Sequence, residues 1–338
     1  MSPVTFRIDR TDAMDLDLDT ADEMAAVSAA SSRADRLPFP PRVGAATLLS
    51  VQLGSDCRPM EGAWLARDDR GVVGWAVAEF PWRDNTDTAH IRGTVHPDAR
   101  RLGIGRALLA EILPVARAGG RDKIYTGAWD GTDGVEALRA LGFSSAGLGI
   151  NAVRRLDVHN TARSRWDRLY DEAAGKAGEY ELLHQIGPTP AEQIPGLVTL
   201  HEAINDAPLD DPGMEDDAWD AERVADYDRA MAGRRQTVHR VMARHRQSGD
   251  WAGMSMLCVD EFKPSLAFQE DTSVVSAHRG HRLGLLMKAD MLRWIGHERP
   301  EVAEIDTWNA TTNHHMIAVN EQLGTHVVAR HLTFRWAG

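Results

Sequence analysis

The stretch Thr94-Val-His-Pro-Asp-Ala-Arg-Arg-Leu-Gly-Ile-Gly-Arg-Ala-Leu-Leu109 has a partner 181 residues on, in Val275-Ser-Ala-His-Arg-Gly-His-Arg-Leu-Gly-Leu-Leu-Met-Lys288, when the shared Arg-Leu-Gly is aligned. A second landmark, Leu141-Gly142-Phe143, recurs as Leu323-Gly324-Thr325 at an offset of 182. The spacing within each copy is 39 residues (Gly103 to Gly142) and 40 residues (Gly284 to Gly324). Two short matches are weak evidence separately, but their preserved spacing marks a tandem duplication.

Working outward, each half reads as β-α-α-β-β-β-α-β-α-β. In the first half, strands are expected at residues 6–10, 61–67, 72–80, 88–95, 123–126 and 147–156. Helices are expected at 19–36, 105–118 and 134–141, with only a weak signal for the second helix of the pattern. Pro114 interrupts an amphipathic run that ends at Gly119-Gly120, which predicts a kink. In the second half, strands are expected at 180–186, 238–246, 253–261, 265–275, 304–308 and 326–336, with helices at 190–204, 219–231, 285–297 and 313–323. Residues 160–178 read as a polar linker helix. The expected organisation is therefore a first repeat at 1–158, a linker helix at 159–178 and a second repeat at 179–338. The fold class is α/β (α+β), with mixed, mostly antiparallel sheets flanked by helices.

The 338 residues carry 38 Lys+Arg against 50 Asp+Glu, a formal net charge of -12. Two tracts account for it. Asp9 to Glu23 holds seven acids and one Arg, and Asp206 to Glu222 holds eight acids with no base, leaving the rest of the chain near neutral. This balance disfavours nucleic acid and anionic membrane as partners and permits a cationic one. Apolar runs are too short for a membrane helix, no signal pattern opens the chain, and Cys57 and Cys258 form no disulfide framework, so a cytoplasmic location is expected. The adjacent His314 and His315 lack partners at ligand spacing, so no metal is expected.

The first motif carries a strand into a Pro-containing turn, then Arg100-Arg101-Leu102-Gly103-Ile104-Gly105-Arg106, then a helix. Glycine lets the backbone approach a ligand, and the free N–H groups of a helix start favour phosphate. No Rossmann fingerprint or Walker loop is present.

These residues resemble the acyl-CoA pyrophosphate loop of the GNAT superfamily of N-acetyltransferases. The resemblance covers essentially the whole chain as two tandem repeats, and the nearest general pattern is the mycothiol synthase-like actinobacterial group. It implies acetyl-CoA as cosubstrate, with its pantetheine arm along Thr94 and Val95 and its pyrophosphate on residues 101–106. In the second half the corresponding positions are Val274 and Val275 and the loop His281, Arg282, Leu283, Gly284, Leu285 and Leu286. There His281 stands in place of the usual Gln or Arg, and Leu286 in place of Gly or Ala.

Family members commonly place a general-base carboxylate on the strand before the loop. In the second half that strand offers Glu270 and Asp271, which alternate across a regular strand so that one of them faces the acceptor. The first half offers Ala89 and His90 at the matched positions. The Tyr that commonly protonates the leaving thiolate is replaced by Leu138 and Asn320. Asn309 and Asn313 resemble the segment beside the acetyl group. Asp206, Asp210 and Asp211 fall in the region that lines the acceptor site. The reading is direct transfer of acetyl to the primary amine of a small molecule, with the second half preferred for catalysis and the opposite assignment left open. The alternative is a non-catalytic tandem acyl-CoA sensor or interaction module.

Overall fold

The computed structural model describes residues 5–54, 57–145, 151–206 and 214–337. The chain runs β1 (Arg7–Thr11), α1 (Leu18–Ala34), α2 (Gly44–Leu53), β2 (Gly62–Asp68), β3 (Gly71–Glu79), β4 (Thr88–Val95), α3 (Ile104–Ala118), β5 (Lys123–Trp129), α4 (Asp133–Ala140), β6 (Phe143–Ser145) and β7 (Asn151–Asp157). It continues α5 (Arg163–Ala174), β8 (Tyr180–Ile186), α6 (Ile194–Glu202), α7 (Ala221–Gly233), β9 (Gln236–His245), β10 (Trp251–Asp260), β11 (Leu266–Val274), α8 (Leu283–Glu298), β12 (Glu304–Ala310), α9 (His314–Leu323) and β13 (His326–Trp336). The weakly signalled second helix is α2, and α3 continues through Pro114 to Ala118.

Two compact units result, and they do not follow chain order. Unit 1 comprises Met1–Leu148, Gly213–Glu215 and His331–Gly338, whereas unit 2 comprises Gly149–Pro212 and Asp216–Arg330. Each half therefore gives its last strand to the other half's unit. In unit 1, residues 331–335 of β13 pair antiparallel with β5, and residues 334–336 pair with β6. In unit 2, β7 pairs antiparallel with β12, from Asn151↔Ala310 to Asp157↔Glu304. The stretch expected as a linker helix forms α5, which buries Trp166, Leu169 and Ala173 in unit 2.

The exchanged strands are fixed by apolar burial. Phe334 is 1% exposed within the unit 1 cluster that holds Trp64, Ile104, Ile112 and Ile124. Leu156 of β7 is 2% exposed within the unit 2 cluster that holds Trp166, Ile295 and Leu323. An ion pair adds to this in unit 2. Arg155 of β7 grips Asp306 of β12 through two hydrogen bonds of 2.7 and 2.8 Å, and Asp306 is 1% exposed. Such a pair costs much of its Coulomb gain in desolvation, so it contributes more to strand register than to net stability.

The sheet order is β1-β2-β3-β4-β5-β13 in unit 1 and β7-β12-β11-β10-β9-β8 in unit 2. One neighbouring pair in each is parallel, β4 with β5 and β11 with β12, and these mark the sites. Among the described residues, no helix is long and apolar enough to cross a membrane.

Candidate active site

The parallel pairs separate early. β4 matches β5 only from Thr88↔Lys123 to His90↔Tyr125, then continues against β3 as far as Val95. β11 matches β12 from Leu266↔Glu304 to Gln269↔Thr307, then continues against β10 as far as Val274. Beyond each fork, one strand turns a backbone edge toward a V-shaped opening, where an extended ligand can add as a further strand. In unit 1 the edge includes Thr94 and Val95. In unit 2 it ends at Val274, because Val275 has left the strand and donates its N–H to the Ala252 carbonyl at 2.9 Å. The residues equivalent to Thr94 and Val95 are thus Ser273 and Val274.

The loops after these strands share one backbone course. A 3-10 turn (Pro97–Ala99) leads through Arg100, left-handed Arg101 (φ 64°), Leu102 and left-handed Gly103 (φ 88°) into α3. A 3-10 turn (Ser276–His278) leads through Arg279, left-handed Gly280 (φ 88°), His281 and left-handed Arg282 (φ 59°) into α8. Residue by residue, Arg279 therefore stands on Arg100 and Gly284 on Gly105, an offset of 179 and not 181. Each loop has two left-handed positions and places one glycine on them, the second in unit 1 and the first in unit 2. Aligning the shared Arg-Leu-Gly slides the frame by two residues.

The apparent departures of the second loop disappear in this frame. Arg279 heads it, and His281 occupies the Leu102 position. Leu286 lies inside α8, its N–H bonded to the Arg282 carbonyl at 3.0 Å. The side chains of Leu283, Leu285 and Leu286 are buried in the core. The free amides that face an anion are those at the start of each helix, on Gly103, Ile104, Gly105 and Arg106 and on Arg282, Leu283, Gly284 and Leu285. A Cβ added at Gly103, Gly280 or Gly284 meets no atom within 4 Å, so the space in front of both loops is open.

The leading arginines hold the scaffold. Arg100 bonds both carboxylate oxygens of Asp35 at 2.8 and 2.7 Å and Ser31 Oγ at 2.8 Å. Arg279 bonds Asp206 at 2.6 Å. Asp206 therefore meets the second loop through Arg279, while Asp210 and Asp211 lie outside the described residues. Much of the rest of the acidic tract is engaged as well. Glu215 exchanges hydrogen bonds with Asn85 in unit 1, Asp220 caps α7, and Asp217 pairs with Arg223 at 3.2 Å.

The two forks differ in one further respect. Opposite β10, Leu257 pairs with Gln269 and Ser255 with Thr272, so Glu270 and Asp271 together face the single residue Met256. This is a β-bulge, and it breaks the regular alternation expected of these two carboxylates. β4 pairs with β3 without interruption from His90 to Val95. Because the bulge adds one residue, Gln269 falls on Ile91, and Glu270 and Asp271 together stand where the single residue Arg92 faces Val77 in the other copy, not on Ala89 and His90. His90 instead stacks on Tyr125, and burial holds its pKa below the ordinary value.

Glu270 reaches solvent at the floor of the fork with protein packed around it. Loss of hydration, reinforced by Asp271 and opposed by Arg234, pushes its carboxyl up to about 7. Asp271 is also raised, first by burial and then by Asp217. A carboxylate with such a pKa, beside an open edge and a phosphate-ready helix start, is suited to general-base work near neutral pH.

The amide residues support this arrangement from behind. Asn309 Oδ1 accepts from Asn320 Nδ2 at 2.7 Å, tying β12 to α9. Asn313 caps α9, its Oδ1 accepting from the Met316 N–H at 3.2 Å. Burial drives the Cys258 thiol strongly upward, so it is no nucleophile. No cluster of three or more metal-ligating side chains occurs among the described residues. One polar group was not anticipated. Lys288 of α8 is 4% exposed, and burial brings its amine down to about 7. Its signal was a lone cation in the apolar run Leu283-Gly-Leu-Leu-Met-Lys-Ala-Asp-Met-Leu292.

Residues 33–143 match the family model described as Acetyltransferase (GNAT) family. That stretch is similar to a GNAT acetyltransferase domain. The chain's whole length follows a tandem GNAT protein from the clavulanic acid biosynthesis pathway, 24% identical over 98% of each chain with a TM-score of 0.79. A GCN5-related N-acetyltransferase from Sphaerobacter thermophilus is 14% identical, covering 97% of this chain and 95% of its own, with a TM-score of 0.64. The GCN5-related glucosamine N-acetyltransferase region of a fungal multi-domain β-N-acetylglucosaminidase is 16% identical, over 99% of this chain and 38% of the other, with a TM-score of 0.66. No curated protein matches the chain. The fold is thus two GNAT folds in tandem. The family model covers the half whose fork has neither bulge nor carboxylate, whereas the other GNAT fold has both.

Proposed function

We propose that the protein transfers an acetyl group from acetyl-CoA to the primary amine of a small, cationic acceptor, with the chemistry in unit 2. The observation that carries this is the bulge that brings Glu270 and Asp271 together at the mouth of the β11–β12 fork, beside the α8 loop. In this reading the pantetheine arm lies along the β11 edge to Val274. The pyrophosphate is held by the amides of residues 282–285, where Gly284 leaves room for it.

Glu270 takes the proton that the attacking amine must lose. The amine nitrogen bonds to the thioester carbon, the C–S bond breaks, and no acyl-enzyme forms. The negative charge of Asp271 and Asp217 favours an acceptor with more than one positive charge. Because the base acts in its ionised form, kcat/KM has a rising limb with its midpoint near 7. Glu270→Gln lowers kcat by about 10²–10⁴-fold and removes that limb.

Unit 1 keeps the open loop but has the single residue Arg92 where the bulge puts both carboxylates. This favours a second reading for that unit alone, a body that holds acyl-CoA without turning it over. CoA release, followed with a thiol reagent across polyamines, aminoglycosides and aminoacyl amines, tests the whole. Tight acetyl-CoA binding with no turnover on any amine makes the protein a sensor and ends the enzyme reading.

A further inference from the structure

Where β11 and β12 part at Gln269 and Thr307, unit 2 has a partly open cavity of about 20 Å³, lined by those two residues, by Lys288, Asn320 and Thr325, and by four apolar side chains. That is room for a single water or one comparably sized atom. Two of its polar atoms have no partner among the described residues. Asn320 Oδ1 and Thr325 Oγ1 are buried without a hydrogen-bond partner, and Lys288 makes no ion pair among the described residues. The charged groups on packed elements are committed elsewhere. Asp167 of α5 pairs with Arg293, His184 of β8 with Asp290, and Asp306 of β12 with Arg155. A methionine or leucine would pack this site at less cost, since a buried amine must either lose its proton or stay uncompensated.

We propose that Lys288 is the general acid of the unit 2 reaction, giving its ammonium proton to the sulfur that leaves the thioester. This deepens the acetyl-transfer reading and rests on it. An arm paired along the β11 edge ends its run at the Gln269–Thr307 fork, which places a terminal sulfur against this cavity. Asn320, at the position where a tyrosine hydroxyl is absent, lines the same wall and cannot donate a proton of suitable acidity. In the step, the acceptor nitrogen bonds to the acyl carbon and its proton goes to the Glu270 carboxylate. The C–S bond breaks and the electron pair stays on sulfur. The Lys288 proton then moves to sulfur, leaving free thiol, amide, neutral Lys288 and protonated Glu270. Solvent returns both groups to their starting states. An amine near its own midpoint at neutral pH both holds and releases a proton readily.

The test is a titration of the thiol of bound CoA, read by thiolate absorbance, in the wild type, Lys288→Met and Lys288→Arg, with CoA itself as the probe. Methionine fills the space and removes the charge, so Lys288→Met is expected to fold with an unchanged or raised Tm. The thiol of CoA bound to the wild type is expected to titrate at least tenfold more acidic in Ka than on Lys288→Met, with Lys288→Arg on the wild-type side. With the best amine of the panel, Lys288→Met should lose at least tenfold in kcat with KM little changed, and an acetyl donor with a more acidic thiol should restore most of it. If CoA binds Lys288→Met with wild-type thiol acidity, Lys288 is not the acid and the acetyl-transfer reading stands. If CoA protects no part of unit 2 from hydrogen exchange, both fall together.

Discussion

Phe334→Ala, a change near the far end of the second half, should unfold the unit that holds the first half. Phe334 is 1% exposed on β13, where it faces Thr126 of β5 and Ser145 of β6. It sits in the same apolar cluster as Trp64, Ile104, Ile112 and Ile124. Truncating a buried Phe to Ala costs about 3–5 kcal/mol from lost transfer energy and the cavity left behind. For a unit of this size that corresponds to a Tm lower by roughly 6–20 °C. Hydrogen exchange by mass spectrometry reads it out, because protection reports the free energy of the local cooperative unit. Peptides from β2 to β5 should lose protection, while those from β8 to β12 keep it. The reciprocal variant, Leu156→Ala on β7, should do the opposite at about 2–5 kcal/mol. Loss of protection confined to β8–β12 in Phe334→Ala, or a cost below about 1 kcal/mol, would refute the exchange of final strands.

Asp306→Asn leaves Arg155 with the half-exposed Glu304 as ion-pair partner and should cost up to about 3–5 kcal/mol in urea unfolding, whereas replacing both Arg155 and Asp306 with apolar residues should be near neutral. His201 is 1% exposed with both ring nitrogens unpartnered, and burial takes its pKa down to about 3. The unfolded chain therefore binds a proton below its ordinary value near 6.5 that the folded chain refuses until about 3, and stability falls as pH drops through that window. At pH 4.5 this one group accounts for up to about 2–3 kcal/mol, and His201→Phe should lessen the slope of unfolding free energy against pH by one proton. An unchanged slope would show that His201 titrates alike in both states. Gly284→Glu places a carboxylate in front of the α8 amides without a steric clash and should abolish CoA release at unchanged Tm, while Gly103→Glu should leave turnover largely intact. Full activity in Gly284→Glu would move the chemistry out of unit 2.

Much of this architecture was legible in the chain. The duplicated motif and the element order survive in the folded protein, but the near-equal spacings do not. Arg282 stands on Gly103, so the intervals from Gly103 to Gly142 and from Arg282 to Gly324 are 39 and 42 residues. Periodicity describes a strand but not its neighbour, so β7 and β13 read identically whichever sheet receives them. The loop frame was hidden by backbone conformation, since Arg282 takes a left-handed position that Gly103 fills in the other copy. The bulge at Glu270 and Asp271 is a two-against-one count between strands, and no single strand carries that information. Asp206 was legible as an acid but not as the partner of Arg279, seventy-three residues away. Lys288 stood in plain view, and only the cavity around it gives it a role.

The crossed final strands also constrain how the protein is made. A nascent chain that has completed β6 still lacks residues 331–336, which lie 186 residues further on. At ~5–20 residues per second, β5 waits about 10–40 s with one bare edge. Such an edge is a template for foreign strands, so the first GNAT fold depends on shelter during synthesis more than its final stability indicates.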